Sequence, residues 1–235
     1  IYGGKRLPGL DRVAQVAAGL PSLTRLVVMP YLETAGSLAG PLAAIPKACD
    51  WPHFLAAQAA VTEIDFVSLP FDAPLYILYS SGTTGMPKCI VHGAGGTLLQ
   101  HLKEHQLHCD VHPGDRLFYY TTCGWMMWNW LVSGLASGAT LILYDGAPFA
   151  GCDNMLWDYA EAERITHFGV SAKYLDAAAK LALKPAQTHD LSYLRMLMST
   201  GSPLMAEGFD YVYRDIKRDL CLASISSGTD IVSCF

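Results

Sequence analysis

The fold is indicated first by residues 79–88, which read Tyr79-Ser-Ser-Gly-Thr-Thr-Gly-Met-Pro-Lys88. The apolar residues 75–79 predict a strand that ends directly in this loop of small and hydroxyl side chains. Gly82 and Gly85 allow backbone angles that other residues resist, so main-chain N–H groups can converge on an anion. The hydroxyl groups and Lys88 add donors and a positive charge, which together suit a polyphosphate. The candidate phosphate-binding residues are Ser80, Ser81, Gly82, Thr83, Thr84, Gly85 and Lys88.

This loop differs from the two common nucleotide-binding motifs. Neither the P-loop pattern G-x-x-x-x-G-K-[ST] nor the dinucleotide pattern G-x-G-x-x-G occurs in the sequence. On composition alone, an ordinary Ser/Thr/Gly loop therefore stays an alternative to a phosphate site.

After this loop, strand-like apolar runs alternate with helical patterns. The apolar runs, with the one before the loop, are residues 75–79, 89–92, 116–121, 140–144, 166–170, 195–199 and 220–225. The helical patterns are residues 96–109, 126–136, 154–163, 171–182 and 203–218. Such alternation predicts an α/β fold with a mostly parallel, doubly wound sheet flanked by helices. Ligands in these sheets bind at the carboxyl ends of the strands.

The residues before the loop predict a separate piece of structure. Residues 10–18 have helical spacing, residues 23–29 predict a strand, residues 33–50 a connector and residues 51–60 a short helix. We expect residues 1–60 to be the end of an upstream α/β unit with its connector. Residues 61–235 are expected to form an α/β nucleotide-binding subdomain that carries the phosphate loop.

Composition disfavours several other classes of protein. A net charge of −5 is unlike the basic surface of a nucleic-acid binder. The seven cysteines form no C-x-x-C pair, which favours free thiols and a cytoplasmic location. Residues 117–144 lack charge, but polar side chains interrupt this stretch and it divides into strand, helix and strand, so we expect no membrane span. The oligomeric state is not indicated.

The loop resembles a known signature. The string S-S-G-T-T-G-x-P-K is similar to the phosphate loop of the adenylate-forming superfamily, which includes acyl-CoA synthetases, luciferases and the adenylation domains of peptide synthetases. Four further segments look like acetoacetyl-CoA synthetases in particular. They are Cys89-Ile-Val-His-Gly-Ala-Gly-Gly96, Gly124-Trp-Met-Met-Trp-Asn-Trp130, Ser199-Thr-Gly-Ser-Pro-Leu204 and Ser227-Gly-Thr-Asp-Ile-Val-Ser-Cys-Phe235.

This resemblance implies roles at the nucleotide site. Gly201, Ser202 and Pro203 match the strand-end segment that cradles adenine, and Ser224 aligns with another contact at the edge of the base. Thr229 matches the threonine that donates to the α-phosphate, so Thr229 and Lys88 are the candidate catalytic residues. Asp230 occupies the place of a glutamate in most of the superfamily. A carboxylate there is expected to help hold Mg²⁺. Because aspartate is one carbon shorter than glutamate, a water that bridges Asp230 and the ion is one option.

The resemblance also implies two residues of an acid pocket. Trp125 matches an aromatic residue that faces the acyl group, although packing in the core is an alternative for it. Acetyl-CoA synthetases carry a tryptophan at the place of Ser227, where it closes the pocket at two carbons. A serine leaves room for a longer acid such as acetoacetate, unless Ser227 is only a turn residue.

The implied function is ATP-dependent activation of acetoacetate and its transfer to coenzyme A, with ATP, Mg²⁺ and coenzyme A as the required small molecules. The family's ribose-binding aspartate and its C-terminal lid domain with the adenylation lysine lie beyond residue 235, so we expect an internal fragment that is inactive alone. Two alternatives stay open. One is a nucleotide- or polyphosphate-binding module without ligase activity, and the other is a ligase for a different short or medium carboxylic acid.

Four histidines are spaced along the helix predicted over residues 96–109 and just beyond it. His101, His105, His108 and His112 lie at i, i+4, i+7 and i+11. Histidines four apart can bind zinc, but no acidic third ligand has the right spacing. We therefore expect a solvated helix face rather than a metal site.

Overall fold

The computed structural model describes residues 7–31, 38–56, 58–80 and 85–235. The chain divides into two units, Ile1–Ser68 and Leu69–Phe235. Four of the candidate phosphate-binding residues lie outside the described residues: Ser81, Gly82, Thr83 and Thr84.

The first unit is a small α/β arrangement. Its elements are α1 (Leu10–Ala18), β1 (Leu26–Val28), α2 (Ala39–Ala43), β2 (Ala48–Asp50) and α3 (Trp51–Ala56). β1 and β2 pair in parallel. Leu38, Leu42 and Ile45 are buried and form its core. The prediction of a connector over residues 33–50 was incomplete, because α2 and β2 lie within it. These two short elements have few apolar residues, and the glycine, alanine and proline around them are typical of a connector.

The second unit contains the remaining elements. Its first half is β3 (Pro74–Ser80), β4 (Lys88–Gly93), α4 (Ala94–Lys103) with a π-helical turn Glu104–His108, β5 (Arg116–Tyr119), α5 (Met126–Ser133) and β6 (Thr140–Ile142). Its second half is α6 (Met155–Ala162), β7 (His167–Ser171), α7 (Ala172–Lys180), α8 (Pro185–Thr188), β8 (Met196–Thr200), α9 (Ala206–Tyr211), β9 (Cys221–Ser224), β10 (Ser227–Gly228) and β11 (Ser233–Cys234).

The central sheet confirms the predicted fold class. Five strands lie in the order β6-β5-β7-β8-β9, and every neighbouring pair is parallel. β3 and β4 differ from the expected rhythm, because they pair with each other as a separate antiparallel hairpin. Only seven residues separate the two strands, which is too short for a parallel crossover. The loop predicted between them therefore connects the two strands of a hairpin.

Both faces of the central sheet are buried, as parallel sheets require. Because side chains alternate along a strand, Phe118 of β5 joins one core with Phe168 and Trp157. Leu117, next to Phe118, joins a second core with Trp130 of α5. Helices therefore cover the two faces in the doubly wound manner.

The histidines on α4 and its π-helical turn correct a prediction. His101 and His105 are fully buried, so the expected solvated face is wrong for these two residues. His101 contacts the Val232 carbonyl oxygen through Nε2, and His105 donates from Nε2 to the Trp130 carbonyl oxygen at 2.9 Å. Histidine is polar enough to look like a surface residue in a helical pattern. Burial is tolerated here because His101 has a partner at both ring nitrogens and His105 has one at Nε2.

All seven cysteines are free thiols. Across the described ranges, none of the helices combines the length and the apolar character needed to cross a bilayer.

Two tryptophans in the second unit provide a matched test of its core. Trp157 is 0% exposed and stacks on Phe168 with ring centroids 4.9 Å apart, whereas Trp125 is 62% exposed. Trp157→Ala is expected to lower the free energy of unfolding by about 3–5 kcal/mol, because it removes packed area and leaves a cavity. Trp125→Ala is the control and is expected to change it by less than about 1 kcal/mol. Urea unfolding followed by circular dichroism measures both, and equal losses would contradict this description of the core.

Candidate functional site

The candidate site lies at the edge of the sheet where the parallel strands end. β8 ends at Thr200 and its neighbour β9 ends at Ser224. Past these ends is a cleft of about 430 Å³. Its lining residues are Thr200, Gly201, Ser202, Pro203, Ser224, Ile225, Ser226 and Ser227. The structure therefore brings together all the residues expected at the adenine edge, together with Ser227.

The turn after β8 has a shape that depends on glycine and on one side-chain hydrogen bond. Gly201 has a φ of 87°, in the left-handed region that favours glycine. The Leu204 amide donates to Ser224 Oγ at 3.2 Å, which ties this turn to the end of β9. Ser202 and Pro203 are consequently held exposed at the mouth of the cleft.

Thr200 is a residue of this cleft that sequence reasoning did not select. Its hydroxyl donates to the Ile225 carbonyl oxygen at 3.1 Å, and its Oγ1 lies 3.1 Å from Ser227 Oγ. Because Thr200 has one hydroxyl hydrogen, the second contact is donated by Ser227. Thr200 lies inside the segment from Ser199 to Leu204 that resembles the family, and this resemblance could have identified it. The position of Ser227 is thus set by a residue of β8.

Thr229 and Asp230 lie on the turn of a small terminal hairpin. β10 and β11 pair as antiparallel strands, with Ser227 opposite Cys234. Thr229 is partly buried and Asp230 is exposed on the turn. An exposed carboxylate of this kind is a suitable oxygen ligand for Mg²⁺.

A histidine joins this turn to the strand that follows the phosphate loop. His92 of β4 places Nε2 2.8 Å from the main-chain oxygen of Thr229. β4 begins at Lys88, which is exposed and pairs with Ser80 at the loop end of the hairpin. The contact links the Thr229 turn to the hairpin that carries the loop, while the loop residues 81–84 themselves lie outside the described residues.

The remaining loop candidate, Gly85, and Trp125 are less closely defined by contacts. Gly85 has a φ of 145°, and open space surrounds the position where a Cβ would be. Trp125 precedes α5, beyond the carboxyl end of β5, so it lies at the same edge of the sheet as the cleft. Its exposed ring does not support the alternative of packing in the core.

Within residues 7–31, 38–56, 58–80 and 85–235, no three His, Cys, Asp or Glu side chains are grouped to hold a metal ion. Asp230 alone offers a single carboxylate. A single carboxylate supplies only one of the six ligands that Mg²⁺ takes.

The chain is similar to several known proteins. The family model described as AMP-binding enzyme matches residues 13–221. Acetoacetyl-coenzyme A synthetase of Rhizobium meliloti (strain 1021) is 58% identical over 234 residues, and acetoacetyl-CoA synthetase of Mus musculus is 48% identical over 237 residues. The solved structure of the acetoacetyl-CoA synthetase from Streptomyces lividans matches with a TM-score of 0.89 at 44% identity. The matches to these three proteins each cover 100% of this chain, which spans about 35% of the length of each of them.

Burial of a histidine in the second unit predicts a loss of stability in acid. Burial lowers the pKa of His105 from 6.5 to about 4, although its bond to the Trp130 carbonyl oxygen acts in the opposite direction. Between these two values the unfolded chain binds more protons, so stability is present above pH 6.5 and is lost as the pH falls toward 4. His105 alone should lower the free energy of unfolding by about 2 kcal/mol between pH 7 and pH 5.

Denaturant unfolding at several pH values measures this effect. His105→Gln keeps a donor for the Trp130 carbonyl oxygen but does not titrate, so it should flatten the pH dependence by that amount. His108→Gln is the control, because His108 is exposed on the same π-helical turn. Parallel pH curves for wild type and His105→Gln would contradict the prediction.

Proposed function

Because the chain belongs to the family of AMP-binding enzymes, we propose that it is the nucleotide-binding part of a longer ligase that joins acetoacetate to coenzyme A. The similarity to acetoacetyl-CoA synthetases over the whole chain supports this proposal. Residues 61–235 are proposed to bind the nucleotide, and residues 1–60 to be the end of an upstream unit.

One observation carries the proposal. The cleft at the ends of β8 and β9 gathers Gly201–Pro203, Ser224 and Ser227, and the hairpin that starts at Ser227 continues into Thr229 and Asp230. A base held between these strand ends would direct its phosphates toward Thr229. His92 links that turn to β4, which begins at Lys88, and this supports the proposal that one ligand contacts both Thr229 and Lys88.

The first half-reaction forms an acyl adenylate. The carboxylate of the acid attacks the α-phosphorus of Mg·ATP, the bond to the β-phosphate breaks, and pyrophosphate leaves. Ser80–Lys88 hold the β- and γ-phosphates in this proposal, Thr229 donates to the α-phosphate, and Asp230 holds the Mg²⁺ of the substrate. Catalysis then consists mainly of positioning and of stabilising charge that develops on oxygen.

The second half-reaction transfers the acyl group. The thiol of coenzyme A attacks the carbonyl carbon of the acyl adenylate, a thioester forms, and AMP leaves. The partners of the chain are therefore small molecules: ATP with Mg²⁺, an acid and coenzyme A. Free cysteines throughout support a reducing compartment, and we propose a cytoplasmic location.

Two other functions would use the same cleft. A module that binds a nucleotide or polyphosphate without ligase activity would need only the loop and the strand ends. A ligase for a different short or medium acid would differ at Ser227 and Trp125. Assays of acyl-CoA, AMP and pyrophosphate formation by the full-length protein with a series of acids separate these possibilities. Nucleotide binding without any product would overturn the ligase proposal.

Ser227→Trp in the full-length protein is expected to shift preference from acetoacetate to acetate. The indole would fill space that the third and fourth carbons need, and each methylene contributes roughly 10–200-fold to discrimination. The measurement is the ratio of kcat/KM for the two acids. Ser192→Trp, in an exposed loop before the opposite end of β8, is the control and should leave the ratio unchanged. An unchanged ratio in Ser227→Trp would remove Ser227 from the acid pocket.

Residues 1–235 by themselves are expected to show no ligase turnover with ATP, Mg²⁺, acetoacetate and coenzyme A. The resemblance assigns the adenylation lysine and the ribose-binding aspartate to later segments, and loss of one preorganised donor costs on the order of 10²–10³ in rate. A pyrophosphate-release assay tests this expectation. Turnover within about tenfold of the full-length protein would place all catalytic groups inside this chain.

A further inference from the structure

The terminal hairpin that carries Thr229 has a tightly defined backbone. Ser226 and Phe235 exchange two main-chain hydrogen bonds, of 2.7 and 2.8 Å, at its open end. Thr229 begins the turn and Val232 ends it, with a bond of 3.3 Å from the Val232 amide to the Thr229 oxygen. Val232 has a φ of 50°, which is strained for a β-branched residue. Such a conformation persists only where surrounding contacts determine it.

The returning strand β11 receives these contacts from α4 and its π-helical turn. Glu104 is 1% exposed, and its carboxylate accepts from Ser233 Oγ and from the Cys234 amide. Trp130 Nε1 donates to the same carboxylate at 2.8 Å. His101 reaches the Val232 carbonyl oxygen at the strained residue. These bonds hold β11, the strand that follows the turn. None of them involves Thr229, which hydrogen-bonds to a different side-chain group.

That group is His92. Its Nε2 lies 2.8 Å from the Thr229 carbonyl oxygen, and a carbonyl oxygen can only accept, so the ring donates. His92 is the fifth residue of β4, whose first residue is Lys88. Sequence reasoning gave His92 no role. The hydrogen bond therefore connects the turn that carries Thr229 to β4, the strand that follows the phosphate loop.

We infer that His92 is a positioning residue for adenylate formation, which fixes the distance between Thr229 and Lys88, the first residue of β4. This role rests on the proposed function, because it needs Thr229 to act on the α-phosphate. His92 touches no reacting atom in this account. It acts through the main chain of Thr229, because the Thr229 hydroxyl and the neighbouring Asp230 carboxylate move with that backbone.

A positioning role for His92 differs from a stabilising role in what its loss does to the fold. Without the histidine, the Thr229 oxygen keeps its bond from the Val232 amide, and β11 keeps its bonds to Glu104. The fold should therefore persist while the turn shifts relative to β4. A displacement of about 1 Å can cost on the order of 10²-fold in rate. The rate of the adenylation step should suffer more than the affinity for either substrate.

A matched pair of amides tests this role in the full-length protein. The nitrogen of Gln can take the place of Nε2, whereas Asn is one methylene shorter and cannot reach the Thr229 oxygen. ATP–pyrophosphate exchange with acetoacetate gives kcat and KM for adenylation, and thermal unfolding gives Tm. We expect His92→Asn to lower kcat by about 10–100-fold with both KM values within about threefold, and His92→Gln to stay within about threefold of wild type.

Two further variants complete the design. His189→Asn is the control, because His189 bonds Asp158 at 2.9 Å away from the cleft, and it should leave kcat within about twofold. In a Thr229→Ala background, His92→Asn should cost a smaller fold-change than in the wild type, since residues that act through one another are not additive.

Several results would overturn the inference. They are a wild-type kcat in folded His92→Asn, equal losses in the Asn and Gln variants, and a His92→Asn variant that does not fold, which would make the role purely structural. If the wild-type protein activates no carboxylic acid, the proposed function fails and the positioning role fails with it. If the wild type is active and His92→Asn equals it, only the positioning role fails.

Discussion

Parallel pairing of β5, β7, β8 and β9 is the constraint on which the site depends, because it brings every carboxyl end to one edge of the sheet. Residues 200–203 and 224–227, far apart in the chain, share one cleft for this reason. The register is held at the cleft itself, where the Ile225 amide donates to the Ser199 oxygen at 2.8 Å. A slip of one residue between β8 and β9 would turn the side chains of the moving strand to the other face and dismantle the cleft.

A buried carboxylate has the same importance for the terminal hairpin. Burial alone would raise the pKa of Glu104, but hydrogen bonds from Ser233, Cys234 and Trp130 outweigh that effect and hold the pKa below its ordinary value. A charge in this place is costly unless every lone pair has a donor, so it favours one arrangement of its partners. The hairpin is thus fixed by polar contacts whose directions matter, whereas apolar packing alone would tolerate small rotations.

The parts of the fold that could be predicted are those with a repeating apolar signal. The central sheet follows from its buried runs, whereas the phosphate-binding role of residues 80–88 stays a prediction from their glycines and hydroxyls. Such apolar runs do not indicate which strands pair with each other, so the separate hairpin of β3 and β4 was not predicted. His101 and His105 were misjudged because a polar residue in a helix signals exposure unless its distant partners are known. Thr200 and His92 gain their importance from contacts with Ser227 and Thr229, which only the tertiary structure reveals.

The two ends of the candidate site differ in how firmly the fold holds them. The end near Thr200 stands on β8, all of whose residues are buried between two cores. The end near Lys88 stands on the β3–β4 hairpin, where Leu75, Ile77 and Tyr79 are exposed. Segments with fewer buried apolar contacts open and adjust at a lower free-energy cost. Under the proposed function, the AMP moiety would rest against the rigid sheet edge, and the phosphates that leave would lie against the adjustable hairpin. A bond such as that from His92 is needed where these two parts meet, because the in-line geometry of phosphoryl chemistry must hold across the boundary between them.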